Sequence, residues 1–499
     1  MMLVSNMLKQ YATTKADKIA SQFKNKTLTY KELYMQAERL ASYLQSKGYK
    51  KGDIAAIYMN NSDMFLVCYF GVQLLGMAAM PINTKLAVPE VQYILNHSEA
   101  KVLIADQALY TNAEATGYEF EEVIINEKSL QKIVEDASLN EKFVTVEVKP
   151  DEMAVVMYTS GTTGKPKGVM LSQRNLYETG RIWSESMEMN EHDRMFICTP
   201  LFHCAASHVF AVPILYSGGT IVIEEAFSPD KTLQQLVETE ATIFFGVPAM
   251  YTILLNRPNT KSLSFPKLRL FTYGAAPMPY EILRQLKEAF PQVRVQNLYG
   301  QTENTPAASS LLDDQALLKI GSVGKPLVRT EVQVVDTEGV PVPLGEVGEI
   351  VVKGPQVMIG YLKNPEETAR TIKDGWLYSG DLGRFDEEGY LYIVDRKKDM
   401  IIRGGENVYP VEIEDVIYQI PEILETAVVG IPHEVYGEVP KVFVVLKEGK
   451  TLDADEIINY CVKNLAKYKV PAEVEFIDVL PRNASGKVLK HLLKVQHVV

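Results

Sequence analysis

Short apolar runs alternate with amphipathic runs near the start of the chain, and this alternation is the strongest constraint on the fold. The runs with the length and composition of β-strands are IAAIYM (54–59), MAAMPI (77–82) and KVLIA (101–105). The runs with helical spacing are 63–75 and 89–97. Strands that alternate with helices predict βαβ units and a mainly parallel sheet. Because 208–250 shows a similar rhythm, we predict two related α/β halves without a strict repeat.

The pattern of predicted strands and helices changes twice in the C-terminal part of the sequence. From about residue 321, the runs TEVQVVD, GEIVVKG and GYLYIVD predict a small β-barrel or antiparallel meander. From about residue 399, helical and strand runs indicate a compact α+β module. The charged, glycine-containing segment 395–410 joins the two regions and is where we expect a hinge.

The sequence therefore predicts a fold of the α/β class. A large N-terminal domain, 1–397, contains two related α/β sheet subdomains and a small β-barrel at about 321–397. A smaller, mobile α+β C-terminal domain follows at 398–499, with the hinge at Lys398.

Charge and cysteine content exclude several classes of protein. The 499-residue chain has a net charge of −12, so no broad basic surface for nucleic acid is expected. The four cysteines show no CxxC spacing, which favours a reducing compartment. The first residues lack the pattern of a secretion signal, so we expect a cytoplasmic protein.

The longest apolar stretch, FLVCYFGVQLLGMAAMPI (65–82), approaches the length of a membrane span. Gln73 and two glycines interrupt it, and Pro81 lies near its end. We interpret it as a buried helix that ends near Gly76 and is followed by a strand. We expect no transmembrane segment, while peripheral membrane contact and a homodimer remain open.

The segment YTSGTTGKPKGV (158–169) follows an apolar run and contains glycines, hydroxyl groups and two lysines, but no acidic residue. Glycine-rich backbone can direct successive N–H groups to one point, and the hydroxyl and ammonium groups add donors and charge. This composition predicts a phosphate-binding loop, with a flexible surface turn as the alternative. The spacing does not match a P-loop, because Pro166 and Val169 stand where Gly161 or Gly164 would require the second glycine.

The loop is the first member of an ordered series of motifs. The others are PLFH (200–203), GAAPM (274–278), NLYGQTE (297–303), WLYSGDL (376–382), DRKKDMIIRGGENVYP (395–410) and PRNASGKVLK (481–490). In this order and at this separation, they resemble the adenylate-forming superfamily of acyl-CoA synthetases, adenylation domains and luciferases. The resemblance covers essentially the whole chain, and the segment 374–417 is most similar to fatty acyl-CoA ligases.

The resemblance implies a set of residues that bind ATP. They are Thr159, Ser160, Gly161, Thr162, Thr163, Gly164, Lys165, Gly274, Ala275, Ala276, Asn297, Tyr299, Gly300, Asp381 and Arg396. The small residues of GAAPM permit the adenine ring to approach the backbone, and Tyr299 offers an aromatic face. Asp381 accepts hydrogen bonds from the ribose hydroxyls with help from Arg396.

Four residues are implied in catalysis: Lys487, Glu303, Thr302 and His203. A carboxylate beside phosphates needs a cation, so Glu303 is the predicted Mg²⁺ ligand and Thr302 a donor to the α-phosphate. Lys487 bridges the attacking carboxylate and the α-phosphate, where an oriented ammonium stabilises the developing charge.

The remaining implied residues concern the acid and the thiol. The acyl pocket is expected to include His203, Phe245, Gly246, Val247 and Ala275, and the coenzyme A channel is expected to include Gly404, Gly405 and Glu406. His203 and His208 also lie near Cys198 and Cys204, but their spacing matches no common zinc site.

The expected function is that of an ATP-dependent acid–thiol ligase. A carboxylic acid, expected to be a fatty acid, reacts with ATP and Mg²⁺ to form an acyl-adenylate, and the acyl group then passes to coenzyme A. The alternatives are an adenylation enzyme that loads a separate carrier protein, an aryl or other carboxylate–CoA ligase, an oxygenating luciferase, and a non-catalytic nucleotide-binding regulator. The last is disfavoured because Lys487 and Glu303 are both present.

Overall fold

The computed structural model describes residues 3–159, 165–258, 260, 263–482 and 488–495. Within these residues the strands form three sheets. The elements of the first region are α1 (Val4–Thr14), β1 (Ile19–Phe23), β2 (Lys26–Thr29), α2 (Tyr30–Ser46), β3 (Ile54–Tyr58), α3 (Asp63–Leu74), β4 (Ala78–Pro81), α4 (Val88–Ser98), β5 (Val102–Ala105), α5 (Gln107–Glu114), β6 (Glu122–Ile125), α6 (Gln131–Glu135), α7 (Ser138–Lys142), β7 (Met153–Thr159) and β8 (Lys167–Ser172).

The second region repeats the α/β alternation. Its elements are α8 (Gln173–Ser186), β9 (Arg194–Ile197), α9 (Val212–Tyr216), β10 (Thr220–Ile223), α10 (Pro229–Glu238), β11 (Ile243–Gly246), α11 (Pro248–Leu255), β12 (Leu270–Gly274), α12 (Tyr280–Ala289), β13 (Arg294–Tyr299) and β14 (Ser309–Leu311).

A β-rich region and a small α+β region complete the described chain. The β-rich elements are β15 (Ser322–Pro326), β16 (Glu331–Val335), β17 (Gly348–Lys353), β18 (Gly360–Tyr361), α13 (Pro365–Thr371), β19 (Ile372–Lys373), β20 (Trp376–Phe385) and β21 (Leu391–Arg396). The small region contains β22 (Ile401–Arg403), β23 (Glu406–Val408), α14 (Pro410–Ile417), β24 (Ile423–His433), β25 (Gly437–Leu446), α15 (Ala454–Asn464), β26 (Glu473–Phe476) and α16 (Lys490–Val495).

The predicted βαβ units are confirmed. In the first α/β sheet the strand order is β18-β8-β7-β4-β3-β5-β6, and β3 pairs in parallel with both β4 and β5. The second sheet contains the parallel set β10-β9-β11-β12-β13, and β1 joins it beside β10. The N-terminal strand therefore ties the first region to the second.

Local chemistry fixes the start and end of the apolar segment that approaches membrane-spanning length. The Ser62 hydroxyl accepts a hydrogen bond from the Phe65 N–H and so caps the start of α3. The segment leaves the helix at Leu74, and Gly76 adopts a φ of +74°, which favours glycine. None of the helices in the described part of the chain combines the length and apolar composition needed to span a bilayer.

The largest hydrophobic core joins α2, α3 and α8 with strands of both α/β sheets. Its bulkiest fully buried side chains include Tyr30, Phe65, Trp183 and Phe210. Tyr30 also donates its hydroxyl to the Gly219 carbonyl at 2.7 Å, so its buried polar atom is satisfied.

The β-rich region differs from the predicted barrel. β15 pairs on one edge with β14 and on the other with β21, so the strands continue the second sheet in the order β14-β15-β21-β20-β17-β16. Among the described residues no strand pairing closes this run into a barrel, because one edge of β15 pairs with β14 of the neighbouring α/β sheet. Gly324 permits the junction, since a Cβ there would lie 1.9 Å from the Ser310 carbonyl oxygen.

An ion pair between the buried Asp193 and the half-buried Arg269 holds the start of β9 against the neighbouring strands. Arg269 donates to both oxygens of Asp193 at 2.8 Å, and the Thr242 hydroxyl donates to Oδ1 at 2.7 Å. Burial acts to raise the pKa of Asp193, but the hydrogen bonds from Arg269 and Thr242 hold that pKa below its usual value.

We predict that Asp193→Asn lowers the free energy of unfolding by about 1.5–3 kcal/mol, because it removes the carboxylate charge that pairs with the half-buried Arg269 guanidinium. The depressed pKa means that this stabilisation is present above the unfolded pKa of about 4 and is lost as the pH falls through the folded value. Denaturant unfolding from pH 7 to pH 3 should therefore show the two proteins converging at low pH.

The matched control is Glu188→Gln, which removes the exposed ion pair with Arg294. It should cost less than about 1 kcal/mol. Equal losses in the two variants at pH 7 would contradict the role of the Asp193 pair.

Candidate active site

The predicted phosphate loop connects two antiparallel strands. Thr159 at the end of β7 lies opposite Lys167 at the start of β8, so the two ends of the loop join neighbouring strands of the first sheet. Lys165 lies over the Tyr93 ring, with Nζ 5.9 Å from the ring centroid. The predicted ligands Ser160, Gly161, Thr162, Thr163 and Gly164 lie outside the described residues.

Tyr361 connects this hairpin to the predicted metal ligand. Strand β18 pairs with β8 and places Tyr361 opposite Val169. The Lys167 ammonium lies 5.1 Å from the centroid of the Tyr361 ring and forms an ion pair with Glu367. The Tyr361 hydroxyl donates to Oε1 of Glu303 at 3.1 Å. The lysine at the end of the loop and Glu303 are therefore parts of one cluster.

The carboxyl ends of β12 and β13 form a second side of the site. In open α/β sheets ligands bind at this end of the strands. Gly274 lies against Leu298, and a Cβ at Gly274 would be 2.4 Å from the Leu298 carbonyl oxygen. Ala275 is exposed and has a φ of +66°, whereas Ala276 is exposed in the loop that follows. The chain at Ala275 and Ala276 is thus accessible to solvent.

Asp381 is the centre of a buried hydrogen-bond network. Its Oδ2 accepts from the Tyr299 hydroxyl and from Nε2 of Gln301, both at 2.7 Å. Its Oδ1 lies 3.4 Å from Nε of Arg396, which is its partner in the β20–β21 register. Burial and then the charge of Asp381 raise the pKa of Tyr299 well above its usual value, so the phenol stays protonated.

Gln301 was not among the residues singled out from the sequence. It follows Gly300, where a Cβ would lie 2.4 Å from the Pro306 backbone, so the chain turns sharply after β13. The Gln301 amide also donates to the Ser379 carbonyl at 2.9 Å and links β13 to β20. Asn297, another predicted ligand, is buried on β13 and accepts at its carbonyl from the Ser310 hydroxyl.

Glu303 lies in a short turn beside this network and is partly exposed. Burial raises its pKa, and the nearby Arg396 and Lys167 charges act in the opposite direction. Both cations lower the pKa of Glu303, as a bound metal ion would. Among the described residues, no group of three or more His, Cys, Asp or Glu side chains could hold a metal. A cation at Glu303 would therefore need further ligands from a bound phosphate or from water.

The PLFH segment reaches the same turn. The Cys204 thiol lies 3.2 Å from the Thr302 hydroxyl and 3.8 Å from Nδ1 of His203. Burial raises the pKa of Cys204 to about 12, so the group remains a neutral thiol. The structure thus brings together three of the predicted catalytic residues, His203, Thr302 and Glu303.

The predicted acyl-pocket residues divide between two faces of β11. Phe245 is buried and packs on Phe210, with ring centroids 4.7 Å apart. Gly246 faces the other way, because a Cβ there would lie 3.0 Å from the Tyr251 ring. A larger side chain at position 246 would therefore contact the Tyr251 ring. Val247 is half-buried at the end of the strand.

The small domain places its predicted residues in two separate features. Gly404 and Gly405, with φ of +61° and +92°, form the turn of the β22–β23 hairpin, and Glu406 begins β23. Lys398 is exposed in the turn after β21. Lys487, the remaining predicted catalytic residue, lies outside the described residues.

Contacts around Asp395 connect the two domains at this turn. The Val411 N–H donates to Oδ2 of Asp395 at 3.2 Å. Lys490 forms an ion pair with Glu414 at 2.7 Å and interacts electrostatically with Asp395 and Asp399. The last strand of the large domain is thereby held against α14 and α16 of the small one.

The model of the AMP-binding enzyme family matches residues 8–362, and that of the AMP-binding enzyme C-terminal domain matches residues 412–487. The chain is 39% identical to feruloyl-CoA synthase of Amycolatopsis sp over 93% of this chain and 92% of the relative. It is 36% identical to a long-chain-fatty-acid–CoA ligase of Mycobacterium tuberculosis over 94% and 93% of the two chains.

A solved structure with the same architecture is that of o-succinylbenzoate coenzyme A synthetase from Bacillus subtilis in complex with ATP and magnesium ion. It is 33% identical, the match covers 98% of this chain and 99% of that chain, and the TM-score is 0.87. With both family models and these full-length matches, the chain belongs to the family of AMP-binding enzymes.

Proposed function

We propose that this protein is an ATP-dependent acid–thiol ligase that converts a carboxylic acid to its coenzyme A thioester through an acyl-adenylate. The observation that carries the proposal is the cluster formed by Tyr299, Gln301, Asp381 and Arg396 directly beside Glu303. It combines a buried carboxylate suited to ribose hydroxyls with a second carboxylate suited to a metal–phosphate complex. The relatives named above are CoA ligases, which supports coenzyme A as the acceptor.

In the proposed adenylation step, each residue of the site has a separate role. Asp381, held by Tyr299 and Gln301, accepts the ribose hydroxyls, and the exposed backbone at Ala275 and Ala276 borders the adenine. Thr302 donates to the α-phosphate, and Lys487 brings the acid carboxylate to the phosphorus. The carboxylate oxygen forms a bond to the α-phosphorus, and pyrophosphate leaves.

The donor set at Glu303 fits one Mg²⁺ ion. A single carboxylate next to a tyrosine hydroxyl leaves most coordination positions for phosphate oxygens and water, as Mg²⁺ prefers in phosphate sites. When bound, the ion would neutralise charge on the phosphates. Tyr361 orients the carboxylate, and Lys167 supplies fixed positive charge near it.

A movement of the small domain would separate the two half-reactions. We place the domain boundary at Lys398, with 1–397 and 398–499 as the two domains. Gly404, Gly405 and Glu406 would line the pantetheine channel after the movement. A carrier-protein thiol is the alternative acceptor.

The acid itself has two candidates. A fatty acid is expected from the resemblance of the segment after 374, and one relative is a long-chain-fatty-acid–CoA ligase. An aromatic acid is the second candidate. Feruloyl-CoA synthase, at 39% identity, adds support for the second candidate.

The experiment that tests the proposed function uses the purified protein with ATP, Mg²⁺, coenzyme A and a panel of fatty and aromatic acids. Acid-dependent release of AMP and pyrophosphate, with formation of a thioester, is expected. Thioester formation on a carrier protein but not on free coenzyme A would favour the alternative acceptor. Absence of acid-dependent AMP release would contradict the proposed function.

Glu303→Gln should abolish adenylate formation while the protein remains folded, because the amide cannot hold Mg²⁺ against the phosphates. Tyr361→Phe should retain activity but raise the Mg²⁺ concentration for half-maximal rate by about 10-fold, since it removes one hydrogen bond to a charged group. ATP–pyrophosphate exchange over a Mg²⁺ titration measures both effects.

The controls are a carboxylate and a tyrosine of similar chemistry elsewhere. Glu366→Gln changes an exposed carboxylate of α13, and Tyr43→Phe removes a hydroxyl that donates to Glu122 at 3.0 Å. Both should exchange pyrophosphate with the wild-type Mg²⁺ dependence. Wild-type exchange by the Glu303 variant would remove that residue from the metal site.

Lys398→Pro should separate the two steps. Proline fixes its own φ and restricts the preceding residue, so it should trap one orientation of the small domain. We expect adenylation to persist and thioester formation to fall by at least about 10-fold, as is typical of hinge changes that block a required closure. Lys487→Ala should do the reverse, losing adenylation but converting supplied acyl-adenylate to thioester.

Pyrophosphate exchange measures the first step, and coenzyme A capture of synthetic acyl-adenylate measures the second. Circular dichroism and thermal unfolding establish that each variant is folded. An equal loss of both steps in each folded variant would contradict domain movement.

A further inference from the structure

Lys490 of the small domain lies among carboxylates at the junction of the two domains. Its ammonium forms an ion pair with Oε1 of Glu414 at 2.7 Å, and both side chains are largely buried. The same oxygen of Glu414 accepts the Val428 N–H at 2.7 Å, so α14, α16 and β24 meet at one carboxylate. The charge of Asp395, on the last strand of the large domain, also acts on Lys490. Lys490 is therefore a cation that interacts with both domains.

The Asp395 side of this cluster lies three residues before the proposed hinge at Lys398. Asp395 is buried, and its Oδ2 accepts the Val411 N–H of α14 at 3.2 Å. A rotation at Lys398 would carry α14 and α16 away from β21, so these contacts depend on the orientation of the small domain. Buried charges are costly to leave without partners. The cluster therefore stabilises the orientation in which its members meet.

Two features of the small domain with proposed roles lie at opposite ends of β25. The Gly404–Gly405 turn lies beside the first residue of this strand. The chain that leads to Lys487 is held at the other end, because Arg482 forms an ion pair with Glu425 of β24, which pairs with the end of β25. The strand has ten residues and is therefore roughly 30 Å long. One orientation of the small domain cannot bring both features to the same site.

The ion pair of Lys490 holds the chain close to Lys487. Arg482 and Val488 form an antiparallel bridge on either side of the segment 483–487, which lies outside the described residues. Lys487 directly precedes Val488 in the sequence. Two residues after this bridge, Lys490 fixes the chain to α14.

The end of the small domain that carries this bridge faces the large domain. Lys447 follows β25 at this end, and Glu281 lies in the first turn of α12. The hydrogen bond with Arg284 is the main cause that lowers the pKa of Glu281, and the charge of Lys447 acts in the same direction. The loop that begins with the exposed Ala275 leads directly into α12. The observed orientation thus turns the Lys487 end, rather than the glycine hairpin, toward the proposed adenine border.

We propose that Lys490 is a positioning residue for adenylation, which with Glu414 and Asp395 holds the small domain in the orientation that turns its Lys487 end toward the acid and the α-phosphate. This inference rests on the proposed acid–thiol ligase function and assigns Lys490 to the first half-reaction alone. Lys490 acts through the position of the domain rather than by contact with ATP or the acid. Thioester formation needs the opposite end of the small domain and does not depend on Lys490.

The test measures both half-reactions on Lys490→Met, which keeps an unbranched apolar side chain and removes the ammonium. The acid is the member of the fatty and aromatic panel from which the wild-type protein releases AMP fastest. Pyrophosphate exchange should fall by about 10-fold to 100-fold, the effect of losing one hydrogen bond between charged groups. The loss should appear in the maximal exchange rate and not in the KM for ATP, because the proposed ATP contacts belong to the large domain. Capture of the synthetic acyl-adenylate by coenzyme A should be nearly unchanged.

Two further variants locate the effect in the ion pair. Lys490→Arg keeps the charge and should retain most of the exchange rate. Glu414→Gln can still accept the Val428 N–H but loses the charge, so it should show the same selective loss of exchange. Combined with Lys490→Met, it should add little to the loss of either single variant, because both remove one contact. Thermal unfolding establishes that each variant is folded, and Glu414→Gln carries the comparison if Lys490→Met does not fold.

The matched control is Lys469→Met, which removes another ion pair of α14, that with Glu412 at 2.6 Å. The Lys469 side chain is 17% exposed, against 19% for Lys490. The groups that act on the Lys469 charge, Glu412 and Tyr468, both belong to the small domain. Lys469→Met should therefore leave the ratio of the two half-reactions unchanged.

The inference would be overturned if folded Lys490→Met and Glu414→Gln exchanged pyrophosphate at the wild-type rate, or if they lost exchange and thioester formation in equal proportion. In either case, acid-dependent exchange by the wild-type protein would show that the ligase function itself stands. Absence of acid-dependent exchange by the wild-type protein with every acid would instead contradict the proposed function.

Discussion

The buried carboxylate of Asp381 is the interaction on which the proposed nucleotide side of the site depends. It receives hydrogen bonds from Tyr299 and Gln301 and faces Arg396, so it joins the end of β13 to β20 and β21. A buried charge of this kind is stable only when its oxygens are paired. The same pairing holds the carboxylate in one orientation and, through Gln301, ties β20 to the turn that carries Glu303.

A second constraint comes from the other sheet. The β7–β8 hairpin brings Lys167 next to Tyr361, and Tyr361 orients Glu303. The phosphate loop and the proposed metal ligand therefore belong to different sheets but share one tyrosine. Burial that raises the pKa of Glu303 makes its charged form depend on neighbouring cations, which suits a carboxylate that works with Mg²⁺ and phosphates.

The sequence predicted what is encoded locally. Strand and helix alternation gave the βαβ units, Gly76 marked the end of the apolar helix, and the motif order indicated the ligase superfamily. Features that depend on distant pairing were missed. Tyr361 meets Glu303 only because β18 pairs with β8 far away in the chain. The β-rich strands form the antiparallel run that was the alternative to a barrel; no closed barrel forms among the described residues, because β15 also pairs with β14, and this distant pairing cannot be read from local pattern. His208, first considered as part of an unusual zinc spacing, is instead a buried partner of Tyr69.

In the proposed reaction, the acid carboxylate attacks the α-phosphorus and later leaves one of its oxygens on AMP. An acid labelled with ¹⁸O in both carboxylate oxygens tests it most directly, in a reaction with ATP, Mg²⁺ and coenzyme A followed by mass spectrometry of the nucleotide. The adenylate places a labelled oxygen between acyl carbon and phosphorus, and thiol attack at the carbon keeps it on phosphorus. We expect AMP that carries one ¹⁸O. Unlabelled AMP, or ADP with the label in orthophosphate, would contradict the mechanism.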